Sequence, residues 1–316
     1  MQETGVASRI ISLRKACGHV KNISADVKRA TEFYRAKQTL LGSKALSDGE
    51  KQLLARISLA VHREDSMHVS GYAGEYLFAG LSASRCIQAA LNSISKERAV
   101  GSLLDFPCGY GRVLRFLRAM FPKSDITGCE LQKTALDFCQ RTFGIVPLLS
   151  SIDLKSLSLP RKFDLIWCGS LLTHIDENAT TDLLRFFHRH LLVEGICIFT
   201  THGQRAVEMI KDKRKTFPLV DKNQQKLLRD FQEEGYGYAD YLNQTGYGIS
   251  AVTRSRMVEL ARGVGTWEEV FFLDHGWHGL QDVYGFAMRV PEKKFSKEPP
   301  KEICGHSFLA EEKNDH

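Results

Sequence analysis

The chain has no C-x-x-C pair, although eight cysteines are scattered along its 316 residues. That spacing gives neither a disulfide framework nor a zinc site. Cysteines in apolar runs act as small hydrophobes instead. No apolar stretch reaches the length needed to span a bilayer. The opening "MQETGVASRIISLRKACGHV" lacks the continuous apolar core of a secretory signal. Internal repeats and nucleic-acid motifs are also missing. These absences lead to the expectation of a cytoplasmic protein with no metal and no membrane span.

Charge is scarce in one sense only. The formal net charge is +6, and residues 1–40 carry eight Lys/Arg against three Asp/Glu, nearly the whole excess. The two aromatic residues of this segment, Phe33 and Tyr34, are adjacent and not spread among these charges, which read as a solvated helix face more than a nucleic-acid surface.

What is present is a change of rhythm. Residues 1–98 show apolar positions at three- and four-residue intervals, as in "KALSDGEKQLLARISLAVH", and predict a helical N-terminal lobe. From residue 99 short apolar runs alternate with helical segments. "VGSLLDF", "DITGCEL", "VPLLSS", "FDLIWCGS" and "GICIFTTHG" read as strands. "GRVLRFLRAMF", "KTALDFCQRTF" and "NATTDLLRFFHRHLL" read as helices between them. Such alternation predicts an α/β fold, doubly wound around a mostly parallel sheet. Residues 204–246 interrupt it as a polar, helical lid ending in "EEGYGYADYLNQTGYG". The runs "TWEEVFFLDHGW" and "QDVYGFAMRV" then suggest an antiparallel pair at the sheet edge. The main domain is expected over 99–290, and 291–316 reads as a charged, disordered tail.

The chemistry concentrates in "LLDFPCGYGR", Leu103–Arg112. A strand entering a glycine turn and then a helix lets a ligand approach the backbone closely. Gly109 and Gly111 supply two glycines, but the third position of a dinucleotide G-x-G-x-x-G is Leu114. Asp105 before the turn disfavours a pyrophosphate and suits a ligand bearing an ammonium group. Glu130 ends the second strand, where an acid can accept both hydroxyls of a ribose.

Together, "LLDFPCGYGRVLRFL", "ITGCELQKTALDFC", "SSIDLKSL", "FDLIWCGSLLTHI" and "LLVEGICIFTTHG" resemble the class I S-adenosylmethionine-dependent methyltransferases, in family order over about 101–203. The resemblance implies a Rossmann-like seven-stranded sheet, S-adenosyl-L-methionine as cofactor and S-adenosyl-L-homocysteine as product. It implies that Asp105, Gly109 and Gly111 line the methionine part and Glu130 the ribose. Ile152 and Asp153 would lie beside the adenine, with Cys168 and Gly169 at the mouth of the fourth strand. Pro107 and Leu131 count with this set, although Pro107 departs from the family's usual glycine. Upstream elements often fold across the cofactor in this family, which nominates Tyr76.

For the methyl acceptor, His174 and His202 follow the fourth and fifth strands at the carboxyl edge of the sheet, and are the candidate bases. Tyr238 and Tyr247 in the lid, with His275 and His278 in "DHGWHGLQD", are the candidate pocket residues. The Asp/His cluster lacks metal-ligand spacing. The expected activity is methyl transfer to a small molecule or glycan, with oxygen favoured. Alternatives are a protein or RNA methyltransferase docking through the basic N-terminal region, and a non-catalytic cofactor-binding protein.

Overall fold

The computed structural model describes residues 25–94, 99–154, 157–214 and 217–288. Residues 1–24 of the basic segment and the expected tail at 291–316 lie outside these. The chain divides into two compact units at Phe78/Ala79.

The first unit holds α1 (25–42), α2 (Asp48–Arg56) and the start of α3 (Ala73–Ile94). The "SDGE" signal closes a reciprocal capping box: Ser47 accepts from the Glu50 N–H and Glu50 accepts from the Ser47 N–H. Leu53 and Leu54 of α2 are buried, with Phe33 and Leu40 of α1. Tyr76 donates its hydroxyl to Asp65 at 2.7 Å and packs edge-on against Phe33. In this unit it is a buried packing residue.

The division inside α3 differs from the break expected near residue 98. Ala83, Cys86, Ile87 and Ala90 of α3 join the apolar core under the sheet, so these turns belong to the second unit.

The second unit is built on β1 (Ser102–Asp105), β2 (Asp125–Glu130), β3 (Val146–Leu149), β4 (Phe163–Cys168), β5 (Leu191–His202), β8 (Trp267–Trp277) and β9 (Gln281–Met288). Among the described residues these form one sheet in the order β3-β2-β1-β4-β5-β9-β8. β1 to β5 pair in parallel, and β9 runs antiparallel to both β5 and β8. The expected edge hairpin is therefore present.

Period-two alternation sorts each strand between two cores. Leu103, Leu165, Trp167, Ile196, Ile198 and Val283 face one, with α4 (Leu114–Met120) and α5 (Lys133–Phe143). Leu104, Ile166, Cys168, Cys197, Phe199 and Tyr284 face the other, with α6 (Glu177–His190) and α9 (Arg254–Val264). Cys168 and Cys197 are thus core hydrophobes, fully buried as free thiols.

Helical reading of the whole 204–246 insertion needs correction. α7 (Gln204–Lys211) and α8 (Asp221–Glu234) are present, but α8 stops at Gly235, and β6 (Tyr236–Asp240) pairs antiparallel with β7 (Gly248–Val252). The reason lies in "YGYAD": Tyr236 and Tyr238 turn to the sheet-side core while Ala239 turns to a small core with Val207, Ile210, Leu227 and Phe231. That is strand periodicity. No described helix is long and apolar enough to cross a membrane.

Candidate cofactor and acceptor site

The strand order reverses at β1, where the chain leaves in one direction through β2 and β3 and returns on the other side through β4. Open α/β sheets bind ligands in the crevice at such a switch point, beyond the carboxyl ends of the strands. Asp105 and Cys168 end the two strands flanking it.

Asp105 is 2% exposed, and its Oδ2 has no hydrogen-bond partner among the described residues. Burial, and then the Glu130 charge, push its carboxyl well above the usual range. An orphaned buried carboxylate oxygen is a demand for a donor, and an ammonium group meets it. Beyond it the Phe106–Pro107 peptide is cis, and the chain turns through Gly109 (φ 49°) and Gly111 (φ 83°). A Cβ at Gly109 would meet nothing within 4 Å, whereas one at Gly111 would strike the Phe143 ring at 2.3 Å. The first glycine therefore faces open space and the second lets the turn settle on α5.

Glu130 ties this turn to β2. Its Oε2 accepts from the Gly109 N–H at 3.0 Å, and its Oε1 from the N–H groups of Leu131 and Gln132 at 2.7 and 3.2 Å. The carboxylate is held in place with lone pairs to spare. Leu131 is exposed and Ile152 is 91% exposed, leaving two apolar side chains open to solvent. Asp153 is exposed nearby. An ammonium partner, open backbone space, an ordered acid and apolar residues beside it suit an aminoacyl nucleoside.

The other side of the crevice begins at Ser170, in the left-handed region at φ 65°, and continues through a single 3₁₀ turn, Leu171–Thr173. His174 follows, half-buried. Its backbone carbonyl accepts from the Gly248 N–H at 2.8 Å, and its ring Nδ1 lies 2.8 Å from the Gly248 carbonyl. A carbonyl only accepts, so Nδ1 carries the proton and Nε2 keeps its lone pair. The Tyr241 hydroxyl sits 3.1 Å from the same Nδ1, and the Tyr247 ring stacks on the imidazole at 5.0 Å. Burial lowers the His174 pKa, partly countered by the Gly248 bond. Tyr247 connects the two sides: burial and then the Glu130 carboxylate raise its phenol pKa.

Residues 103–195 match the family model described as a methyltransferase domain. That segment holds both sides of the crevice, on the sheet order just described. Over that segment the chain is similar to methyltransferase domains.

Among curated proteins, the malonyl-[acyl-carrier protein] O-methyltransferase of Bacillus cereus is 28% identical to it over 124 residues, 38% of this chain and 45% of that protein. The enzyme of the same name from Laribacter hongkongensis is 28% identical over 136 residues, 40% and 44% respectively. The matches thus span less than half the length of these relatives. Among solved structures, an S-adenosylmethionine-dependent methyltransferase from Clostridium acetobutylicum has a TM-score of 0.45 at 16% identity, covering 68% of this chain and 91% of that one. DesVI from Streptomyces venezuelae has a TM-score of 0.47 at 15% identity, covering 69% and 95%.

The remaining nominated residues of the methyltransferase domain divide by environment. Cys168 is buried, so only its backbone can border a ligand. Gly169 packs against Trp277, where a Cβ would lie 2.8 Å from the ring. His202 is buried, with Nδ1 3.1 Å from the Ser250 carbonyl and its ring edge-on to Phe217. Tyr238 lies against the sheet-side core and donates to Asp240 at 2.5 Å. His275, in the irregular end of β8, and His278, in the β8–β9 turn, are both left-handed, and His278 is exposed. Beside them Asp282 is buried and accepts from the His275 N–H at 2.8 Å. Among the described residues no group of three His, Cys, Asp or Glu is placed to hold a metal.

Sequence reasoning passed over Gly248, whose backbone sets the His174 tautomer, because a carbonyl leaves no residue-type signal. It also passed over Ser170, Thr200 and Gln281, which come from three separate strand ends.

Proposed function

We propose that this protein transfers a methyl group from S-adenosylmethionine to a hydroxyl oxygen of a small-molecule or glycan acceptor, with His174 as the base. The carrying observation is His174 itself: Nδ1–H is committed to the Gly248 carbonyl, and a lowered pKa keeps Nε2 unprotonated at neutral pH. Asp105 holds the amino group of the cofactor, Glu130 the ribose hydroxyls, and Leu131, Ile152 and Asp153 border the adenine. When bound, the cofactor supplies an electrophilic methyl on a sulfonium centre. The protein aligns the acceptor, shields it from water, and takes the hydroxyl proton onto Nε2 of His174. Tyr247 screens the imidazole from solvent. His202, with Nδ1 on a carbonyl inside the fold, is the weaker base. The six described cysteines are all free thiols, which supports a cytoplasmic setting.

The test is calorimetry with S-adenosylhomocysteine, followed by transfer of labelled methyl to a panel of hydroxyl-bearing small molecules and glycans. Cofactor binding together with His174-dependent turnover is the expected outcome. Tight binding with no turnover on any acceptor would instead favour a non-catalytic binding protein.

A protein-borne acceptor is the second reading. The curated relatives are malonyl-[acyl-carrier protein] O-methyltransferases by name, and the basic N-terminal region offers a docking element. Truncating residues 1–40 would then abolish turnover while leaving cofactor binding intact.

A further inference from the structure

At the carboxyl ends of β4 and β5 and the amino end of β9, three polar side chains form a closed hydrogen-bond circuit with a single possible direction. The Ser170 N–H donates to Thr200 Oγ1 at 2.9 Å. Thr200, fully buried, donates its own proton to Gln281 Oε1 at 2.6 Å. Gln281 is thereby oriented with its amide nitrogen toward Ser170, and donates to Ser170 Oγ at 2.9 Å. Each step follows from the one before. The backbone N–H can only donate, Gln281 can only accept at Oε1, and an amide nitrogen cannot accept a proton from Ser170.

Two donors are left over. The Ser170 hydroxyl proton cannot return to Gln281, and the second Gln281 amide hydrogen has no partner among the described residues. Both residues are half-buried, not sealed in the core. They stand at the crevice beyond Cys168–Gly169, and Ser170 opens the short turn that ends in His174. A left-handed backbone at a serine carries a conformational cost, which a glycine at this position would avoid. The hydroxyl is the group that glycine would lack.

We propose that Ser170 and Gln281 form an oxyanion-type subsite for a carbonyl or carboxylate group of the methyl acceptor. Paired outward donors on a pre-ordered circuit bind such an oxygen without having to reorganise. With His174 one turn away, the acceptor class is a compound whose reacting hydroxyl neighbours a carbonyl or carboxylate, such as a hydroxy acid or an enolic carbonyl. The assignment rests on the methyl-transfer reading, which places the acceptor beside this edge.

The experiment measures binding without turnover. The full-length protein, saturated with S-adenosylhomocysteine, is titrated with glycolate and with ethylene glycol, followed by ligand-observed NMR. Glycolate carries the hydroxyl and the carboxylate, and ethylene glycol carries only hydroxyls. Saturable binding of glycolate alone is expected. Ser170→Gly suits the left-handed backbone and removes the hydroxyl, so it should weaken glycolate about tenfold with S-adenosylhomocysteine affinity unchanged. Gln281→Leu should do the same. Gln281→Glu keeps the shape but cannot donate, and should abolish the glycolate signal.

Failure of S-adenosylhomocysteine to bind wild-type protein would sink the methyl-transfer reading and the subsite with it. Normal S-adenosylhomocysteine binding with no saturable glycolate signal overturns the subsite alone. Equal signals from glycolate and ethylene glycol, or unchanged glycolate affinity in the variants, also overturn the subsite alone.

Discussion

The two sides of the crevice are made in opposite ways. On the proposed cofactor side, Asp105, Gly109, Gly111 and Glu130 come from two adjacent strands and the turn after the first, and Glu130 braces that turn directly. On the acceptor side, His174 depends on Gly248 and Tyr241, 67 or more residues away, while Ser170 depends on Thr200 and Gln281. One side is a local motif and the other a long-range assembly. A local motif loses function residue by residue. An assembly should lose it when any root is cut.

The sharpest break in this comparison is the double substitution Asp105→Ala and Glu130→Ala. Each deletes a carboxylate proposed to hold the cofactor, so calorimetry should show S-adenosylhomocysteine affinity falling about 10²–10⁴-fold. The fold itself should persist. Undiminished binding would remove the cofactor side from this crevice.

His174→Asn comes next. It should lower the transfer rate on a reactive acceptor by about 10²-fold, within the range for general-base removal, with cofactor affinity unchanged. The wild-type rate should fall on acidification with a midpoint below the ordinary histidine value of about 6.5, because burial lowers the His174 pKa and protonation removes the base. A midpoint above that value would contradict the buried, neutral imidazole.

Asp105 predicts a smaller effect of the same kind. Its raised pKa means that a proton competes with the ammonium group it is proposed to hold. Cofactor affinity should therefore drop as pH falls, and binding should release a proton. Calorimetric heats should then differ between buffers of different ionisation enthalpy.

The smallest effect lies outside both sides. Asp282 is pushed up to about 7 by burial, against the His275 N–H bond and with a further rise from Asp274. The folded state binds this proton more tightly than the unfolded chain, so its contribution is lost as pH rises through about 7. Asp282→Asn should raise Tm at pH 8 by roughly 3–8 °C and much less at pH 5. A uniform shift at both values would indicate a role unrelated to titration.

Legibility followed the same division. The alternating runs of 99–203 announced the parallel sheet, and Asp105, Gly109, Gly111 and Glu130 could be nominated because a turn and an acid recur at short range. The break at residue 78 was not readable. α3 is one amphipathic helix whose two ends serve different cores, and its periodicity does not change between them. The β6–β7 hairpin was hidden by "EEGYGYADYLNQTGYG", where glycines resemble a flexible loop unless tyrosine alternation is counted. His174 could be nominated from its place after a strand. Its tautomer could not, since the deciding carbonyl lies on a strand 74 residues later.

The two hydrogen bonds between His174 and Gly248, one between backbones and one from the imidazole, also bear on engineering. They clip the loop end of the β6–β7 hairpin to the Leu171–Thr173 turn, reinforced by Ser250 donating to the Leu172 carbonyl, while Leu242 to Gly246 in the loop remain exposed. Those five positions form a cassette. A library confined to them can diversify what the domain accepts while the chemistry beneath stays in register.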